Sequence, residues 1–426
     1  MVKLINTEMF KGKKKLAAMV VSSVMLLSAC GEDSSSSHGE GYYPDGDTNT
    51  DFNQGRLISD IVDHVITPTF EQFAVQAKEQ SQAIETYCQL EIAVEQGNTS
   101  SEEVGAGKLT AQNSWREAMN VWQQAEIMQL EPLLNDDGAL RDNIYSWPDK
   151  NTCGVDLDIT FYKDGTVNGQ PYDITKRIAS RKSLVAIEYL LFNDNLNHSC
   201  TGATTPENWN NQTEQYRKVA RCEFAAEVAK DIESNSQKLV TQWLGNGSSI
   251  EGYANRLKGA GSVDSEFATE HDAVNKLSDA LFYIDVFTKS AKIAEPLGIE
   301  LNKCGSQPCP EVVESTYSHH SLENIINNIQ AFKLFIAGKD ENTIGFRDYL
   351  IDVGDQDTAD GLDADIEQVL SSTMAYQASL AETLVTNPDQ VEQTHTEVKN
   401  ITDKLKSDFI NSLALELPKT AAGDND

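Results

Sequence analysis

Basic residues are scarce in this chain: 34 Lys and Arg stand against 66 Asp and Glu, for a formal net charge of −32 over 426 residues. A surface this acidic repels the phosphates of nucleic acids and of anionic lipid headgroups, so neither is expected as a partner. The motifs HExxH, GxSxG and GxxxxGK[ST] are absent, and so is a GxGxxG between a strand and a helix. The sequence therefore offers no motif for a zincin, an α/β-hydrolase, a P-loop NTPase or a dinucleotide-binding enzyme.

Alternating polar and apolar residues, the pattern of a half-buried strand, are almost missing as well. From residue 56 onward, apolar residues recur instead at the i, i+3 and i+4 positions of amphipathic helices. We therefore predict an all-α fold: two helical-bundle halves, 56–245 and 266–418, packed into one compact unit. A Gly/Ser-rich linker is expected at 246–265, a disordered tail at 419–426, and minor irregular or hairpin segments, one of them at "KDGT".

The N-terminus has the layout of an export signal. Four lysines between residues 11 and 15 precede the apolar stretch "LAAMVVSSVMLLSA", which ends in "LSAC" at Cys30. This arrangement resembles the lipobox of bacterial lipoproteins, which implies cleavage after residue 29 and a lipid on Cys30. Gly31 then favours the outer membrane, facing the periplasm, and residues 30–55 are expected to be a flexible tether. The alternative is an ordinary signal peptide with a chance cysteine.

With Cys30 lipidated, six cysteines remain, an even number that predicts three disulfides in an oxidising compartment. Cys304 and Cys309 are the easiest pair, across the short loop "CGSQPC". Cys200–Cys222 and Cys88–Cys153 would complete the set, although other connectivities remain open. A cysteine metal site is disfavoured because there is no CxxC.

The stretch "SLVAIEYLLFND" contains one carboxylate, Glu188, in an otherwise apolar run. A helix that is apolar all round belongs in a core, where a lone carboxylate is costly unless it is paired. Arg181, two turns earlier, is the predicted partner in a structural ion pair. Alternatively, Glu188, Glu126 and Trp147 line a polar pocket for a cation, a chelate or a small ligand. Glu126 also fits an ordinary half-exposed helix position.

His320 and Glu323 form a second candidate metal pair. The spacing H-x-x-E places imidazole and carboxylate on one face of a helix. The same stretch, "STYSHHSLENI", also reads as the N-terminal cap of a helix.

Several segments, taken in order, resemble the imelysin family. They include "SWREAMNVWQQAEIMQLEP", "IYSWPD", "RKSLVAIEYLLF", "KIAEPLGI" and "ESTYSHHSLENIINNIQAF". The resemblance implies exported helical proteins associated with iron uptake or regulation, some of them described as peptidases. The family motif GxHxxE, proposed as a metal site, falls on residues 183–188. Here Ser183 stands at its glycine, Val185 at its histidine, and Glu188 matches its glutamate.

These observations favour a non-catalytic binding lipoprotein in iron or metal acquisition, whose ligand is iron or another divalent metal, a metal chelate or a transport protein. A helical scaffold without a metal site is the alternative. A metallopeptidase is disfavoured, because a hydrolytic zinc needs three protein ligands and an open position.

Overall fold

The computed structural model describes residues 37–38, 51–249, 251–418 and 421. The predicted signal peptide, Cys30, most of the tether and most of the tail lie outside the described residues. Within the described part the chain is helical, with only two short two-stranded ladders, so the all-α prediction is confirmed. None of the described helices combines the length and the apolar character needed to cross a membrane.

The α-helices, in chain order, are α1 Gln54–Ile61, α2 Thr67–Glu95, α3 Ser101–Glu126, α4 Asn135–Ile144, α5 Thr152–Asp164, α6 Leu184–Phe192, α7 Glu214–Leu244, α8 Tyr253–Lys258, α9 Glu270–Asp279, α10 Glu295–Leu297, α11 Ser321–Ala337, α12 Phe346–Asp352, α13 Gln356–Met374, α14 Leu380–Thr386, α15 Pro388–Lys404 and α16 Ile410–Ser412. Three segments are π-helical: Val62–Ile66, Ile284–Ala294 and Leu405–Phe409. Single 3₁₀ turns lie at Ile174–Lys176, Ala179–Arg181, Trp209–Asn211, Ala280–Phe282 and Pro310–Val312. Strand β1 Ser37–His38 pairs antiparallel with β4 Glu416–Leu417, and β2 Thr166–Val167 pairs antiparallel with β3 Gln170–Pro171.

Local sequence explains several helix ends. Ser100 begins α3 with a capping box, in which its hydroxyl accepts from the Glu103 amide while the Glu103 carboxylate accepts from the Ser100 amide. Gly165 ends α5 in the left-handed conformation, with φ of 67°. The "KDGT" stretch therefore terminates a helix, and the hairpin predicted there turns instead at Asn168 and Gly169, whose φ angles are 51° and 74°. Positive φ at both residues is what a tight two-residue hairpin turn requires.

One contiguous apolar core runs from Leu57 to Ala421. Helix α2 packs against α3 and α7 in the first half, while α13 packs against α15 and α11 in the second. Helix α11 also packs on α3, and this contact joins the predicted halves. Helix α8 lies within the stretch predicted as a linker. Helix α6 is buried along nearly its whole length, as expected for an apolar helix.

The six described cysteines form three disulfides, and Cys304–Cys309 is paired as predicted. The other two suggested pairings, Cys200–Cys222 and Cys88–Cys153, are wrong: Cys88 is bonded to Cys222, and Cys153 to Cys200. Tertiary packing is the reason. Helix α2, which carries Cys88, packs along α7, which carries Cys222. The loop that holds Cys200 is attached to α5 beside Cys153, where Ser199 donates to Asp156.

Candidate functional site

Glu188 lies inside the protein, on α6, with 3% of its surface exposed. One carboxylate oxygen, Oε1, accepts three hydrogen bonds from a distant part of the chain. The donors are the backbone N–H of Tyr317 at 3.0 Å, the backbone N–H of Ser318 at 2.9 Å and the Ser318 hydroxyl at 2.9 Å. These residues belong to the loop before α11, residues 313–320, which we call the 313–320 loop. Glu188 therefore holds this loop against α6.

Arg181 is not the partner of Glu188, which corrects the predicted ion pair. Its guanidinium lies on Asp158 of α5, with Nη1 3.2 Å from Oδ1, beside the bidentate contact of Arg177 with the same carboxylate. The physical reason is local backbone. Arg181 ends a 3₁₀ turn and α6 begins only at Leu184, so the two-turn helical spacing between Arg181 and Glu188 does not exist.

Lys150 is the nearby positive charge that opposes the rise in the pKa of Glu188. Burial raises the pKa of Glu188, while the charge of Lys150 and the hydrogen bonds from the 313–320 loop oppose that rise. The Lys150 ammonium donates to the carbonyl oxygens of Val313 at 2.9 Å and Glu314 at 2.6 Å. Burial lowers the pKa of Lys150, and the nearby carboxylates counteract this. Lys150 and Glu188 thus hold the 313–320 loop at two points, one through carbonyls and the other through amides.

Glu126 belongs to a second buried group, centred on Lys292 of the π segment Ile284–Ala294. The Lys292 ammonium lies 3.3 Å from Glu126 Oε2 and 3.1 Å from Glu314 Oε1, and it also donates to Gln123 Oε1. The Tyr145 hydroxyl donates to Glu314 Oε1 at 2.7 Å. Burial raises the pKa of Glu126 and the charge of Lys292 opposes this. Lys292 and its polar partners are called the Lys292 cluster below.

Trp147 contacts the Lys292 cluster through its ring. The Lys292 ammonium lies 5.5 Å from the Trp147 ring centroid, within the range of a cation–π interaction, and Phe287 packs on the same indole at 6.5 Å. Two of the predicted pocket residues, Glu126 and Trp147, therefore meet at Lys292. Glu188 is linked to them through the 313–320 loop, which carries both Glu314 and the donors to Glu188.

His320 and Glu323 do not converge on a shared position. His320 Nε2 lies 2.8 Å from Asn120 Oδ1, whereas Nδ1 is 3.8 Å from a Glu323 carboxylate that is half exposed. Burial and the charge of Arg116 lower the pKa of His320 to about 4, so its imidazole is neutral at pH 7. His320 is itself the N-cap residue of α11.

The residues at 183–188 do not fit a transition-metal ion. Val185, at the position of the motif histidine, is a buried apolar side chain, and Glu188 already accepts from three protein donors. Late divalent metals draw most of their affinity from nitrogen or sulfur ligands, which this stretch lacks. Among the described residues, no three His, Cys, Asp or Glu side chains are grouped so as to hold a metal ion. Between Glu126 and Glu314 the cation is the protein's own Lys292.

Sequence reasoning missed four members of this interior: Lys150, Lys292, Glu314 and Tyr145. Each lies in or beside a segment that carries the family resemblance, such as "KIAEPLGI" for Lys292 and "ESTYSHH" for Glu314. Lys292 follows Lys289 and Ser290 and precedes Glu295, so no apolar run like the one around Glu188 marks it as a buried residue. The sequence could not have identified the carboxylates that Lys292 contacts.

Comparison with known proteins agrees with the fold and with the resemblance. The family model described as imelysin, Peptidase M75, matches residues 66–407. An "iron-regulated protein A" of Synechococcus elongatus is 27% identical over 275 residues, which make up 64% of this chain and 61% of that protein. The match therefore leaves more than a third of that relative's length uncovered.

Two crystal structures share the fold. One, described as an iron-regulated protein A precursor from Parabacteroides distasonis, superposes with a TM-score of 0.63 at 18% identity and covers 88% of this chain and 97% of its own. The other, an imelysin-like protein from Psychrobacter arcticum, gives a TM-score of 0.58 at 15% identity and covers 86% of this chain and 98% of its own.

Proposed function

This chain belongs to the imelysin family, and from that premise we propose that it acts in iron acquisition as an exported, lipid-anchored binding protein without catalytic activity. Its partner is a transport protein that docks on the folded surface. The link to iron rests on the names of two similar proteins, both of which refer to iron regulation. The remaining features of the proposal rest on this chain's own residues.

The observation that carries the proposal is the buried polar network of the interior, in which the cation between two carboxylates is the chain's own lysine. Lys292 lies between Glu126 and Glu314, and Glu188 Oε1 accepts from amides and a hydroxyl of the 313–320 loop. Removing one partner from such a network leaves a buried group unsatisfied, so a network of this kind fixes geometry. It joins α3, α6 and the π segment to the loop before α11. We therefore assign binding to the surface that this interior shapes.

The alternative proposal is that iron or another divalent metal binds directly at residues 183–188, as the family motif implies. The surroundings of Glu188 argue against it, because Oε1 already accepts three hydrogen bonds, Lys150 already acts as a nearby positive charge, and Val185 stands where the motif has its histidine. A peptidase mechanism has still less support, because a catalytic zinc takes three protein ligands and an open position.

Export and lipidation are supported by the cysteines. Seven cysteines are present, and disulfides use six of them, which leaves only Cys30 of the "LSAC" sequence for a lipid. Disulfides of this number are typical of oxidising compartments. Together with Gly31, these features support our proposal that the protein lies on the periplasmic side of the outer membrane.

Growth under iron limitation tests the function. A deletion strain is complemented with the wild-type gene, with Cys30→Ser, and with Lys292→Met together with Glu314→Gln, which disturbs the interior. Wild type restores iron-limited growth, and Cys30→Ser fails if anchoring is needed. Mass spectrometry of the wild-type N-terminal peptide shows whether Cys30 carries lipid. Equal growth of the deletion strain and the wild type in iron-limited and iron-replete medium would contradict the iron role.

A further inference from the structure

A cavity of about 360 Å³ lies beside the Lys292 cluster and is not used by the proposed function. Its walls are largely apolar and come from the sequence around the second π segment: Phe282, Tyr283, Val286 and Phe287. Leu134, which precedes α4, closes it from the first half of the chain. The Tyr283 and Phe287 rings are stacked, with centroids 4.7 Å apart and planes 18° from parallel. The cavity therefore has the volume of a small-molecule site and a rigid aromatic wall.

The charged side chains that line the cavity are paired with carboxylates. They are Arg141, Lys276 and Asp279. Lys276 contacts Asp279 at 3.1 Å, and Arg141 contacts the exposed Asp142 at 2.9 Å. Burial raises the pKa of Asp279, and Lys276 opposes this rise. An acidic ligand would therefore replace Asp279 and Asp142 as the acceptor of the Lys276 and Arg141 donors.

Tyr283 connects this cavity to the Lys292 cluster. It lines the cavity, and the Lys292 ammonium lies 5.5 Å from its ring centroid. Burial and the neighbouring carboxylates raise the pKa of Tyr283 well above its usual range. The tyrosine thus stays neutral at physiological pH, and no charged group on this wall opposes an apolar ligand.

We infer that this cavity binds a small amphipathic anion, a molecule with a planar apolar body and one acidic group. The apolar body would lie against the Phe282–Phe287 wall, and the acid would meet Lys276 and Arg141. Charge-assisted hydrogen bonds from these two side chains would give the site its preference for anions over neutral molecules of the same shape. The inference stands independently of the proposed role in iron acquisition.

Two fluorescent probes of nearly equal shape test it. Anilinonaphthalene sulfonate has an aromatic body and one anionic group, and N-phenylnaphthylamine is its neutral counterpart. Both are titrated into the mature chain carrying Cys30→Ser, which needs no detergent. We expect saturable binding of the sulfonate with one site per chain, and weaker binding of the neutral probe.

Lys276→Gln should raise the dissociation constant of the sulfonate about tenfold, the effect of losing one charge-assisted hydrogen bond. The affinity for the neutral probe should stay the same. Lys258→Gln is the matched control, because Lys258 is similarly exposed and lies in an ion pair with Asp63 outside the cavity. Val286→Trp, which fills the cavity, should weaken both probes. Leu134→Trp at a half-exposed position does the same if Val286→Trp does not fold.

The inference is overturned if neither probe saturates. It is also overturned if Lys276→Gln and Lys258→Gln have equal effects, because a general surface charge would then explain binding. If the folded cavity-filling variants bind both probes as well as the wild type does, the probes bind elsewhere on the protein and the inference is overturned.

Discussion

The ammonium group of Lys292 lies 3.1 Å from the carboxylate of Glu314, and each of these side chains is 1% exposed. Glu126 completes the arrangement on the other side of the same ammonium, at 3.3 Å. Two carboxylates that converge in a protein interior are a common setting for a bound cation. In this protein the cation is a lysine of the chain itself, and this lysine joins α3 to the 313–320 loop.

Replacing Lys292 by methionine should therefore destabilise the protein strongly. The substitution keeps the volume but leaves Glu126 and Glu314 without a counter-charge, which costs about 3–5 kcal/mol for a buried pair. Chemical denaturation measures the loss in the free energy of unfolding. The control is Lys333→Met, because Lys333 pairs with Glu367 on the surface, where such a pair contributes about 0–1 kcal/mol. Equal losses for the two variants would contradict the proposed role of Lys292.

The neutral His320 should make the stability depend on pH. Its pKa is lowered from 6.5 to about 4 in the folded protein, so the unfolded chain binds the proton more readily between these values. The stabilisation is therefore complete above pH 6.5 and is lost as the pH falls from 6.5 toward 4. A 2D NMR titration of the imidazole gives the pKa directly.

His320→Gln should remove this part of the pH dependence while the remainder of the stability profile stays the same. His64→Gln, at an exposed position on the first π segment, is the control for the substitution itself. A folded-state titration of His320 near pH 6.5 would show that the imidazole is not buried as described.

The three disulfides should differ widely in their contribution to stability. Cys88 and Cys222 are 134 positions apart in the sequence, whereas Cys304 and Cys309 are 5 positions apart. Chain-entropy reasoning gives about 5 kcal/mol for the first and about 2 kcal/mol for the second. Thermal unfolding of the paired serine variants compares them. Non-reducing peptide mapping tests the connectivity, and recovery of a Cys88–Cys153 peptide would contradict the structure.

The sequence indicated the fold class and the interior position of Glu188, because both depend on local periodicity. A nine-residue apolar run has to be buried, and a carboxylate within it has to meet a donor. The identity of the donor could not be predicted from the sequence. The atoms that bind Glu188 are backbone amides at residues 317 and 318, and every residue type except proline has such an amide.

The predictions of two disulfide pairings and of the Arg181–Glu188 ion pair were wrong for a related reason. The Arg181 prediction assumed that one helix runs continuously from Arg181 to Glu188, but the helix begins at Leu184. The cysteine pairing depended on which helices are neighbours, and sequence proximity favoured the wrong partners. Lys292 was overlooked because its partners, Glu126 and Glu314, are more than 20 residues away from it on either side.

We propose that Glu188 acts as a structural acceptor for the 313–320 loop and does not hold a metal ion. The most direct measurement is elemental analysis followed by calorimetric titration with Fe(II), Fe(III), Zn and Cu, on wild type, Glu188→Ala and the surface control Glu71→Ala. The account predicts no stoichiometric binding that depends on Glu188. It also predicts that Glu188→Ala lowers the free energy of unfolding by about 1–3 kcal/mol, the cost of leaving buried donors unsatisfied, and speeds hydrogen exchange at Tyr317 and Ser318. Stoichiometric metal binding that is present in wild type and in Glu71→Ala but lost in Glu188→Ala would contradict it.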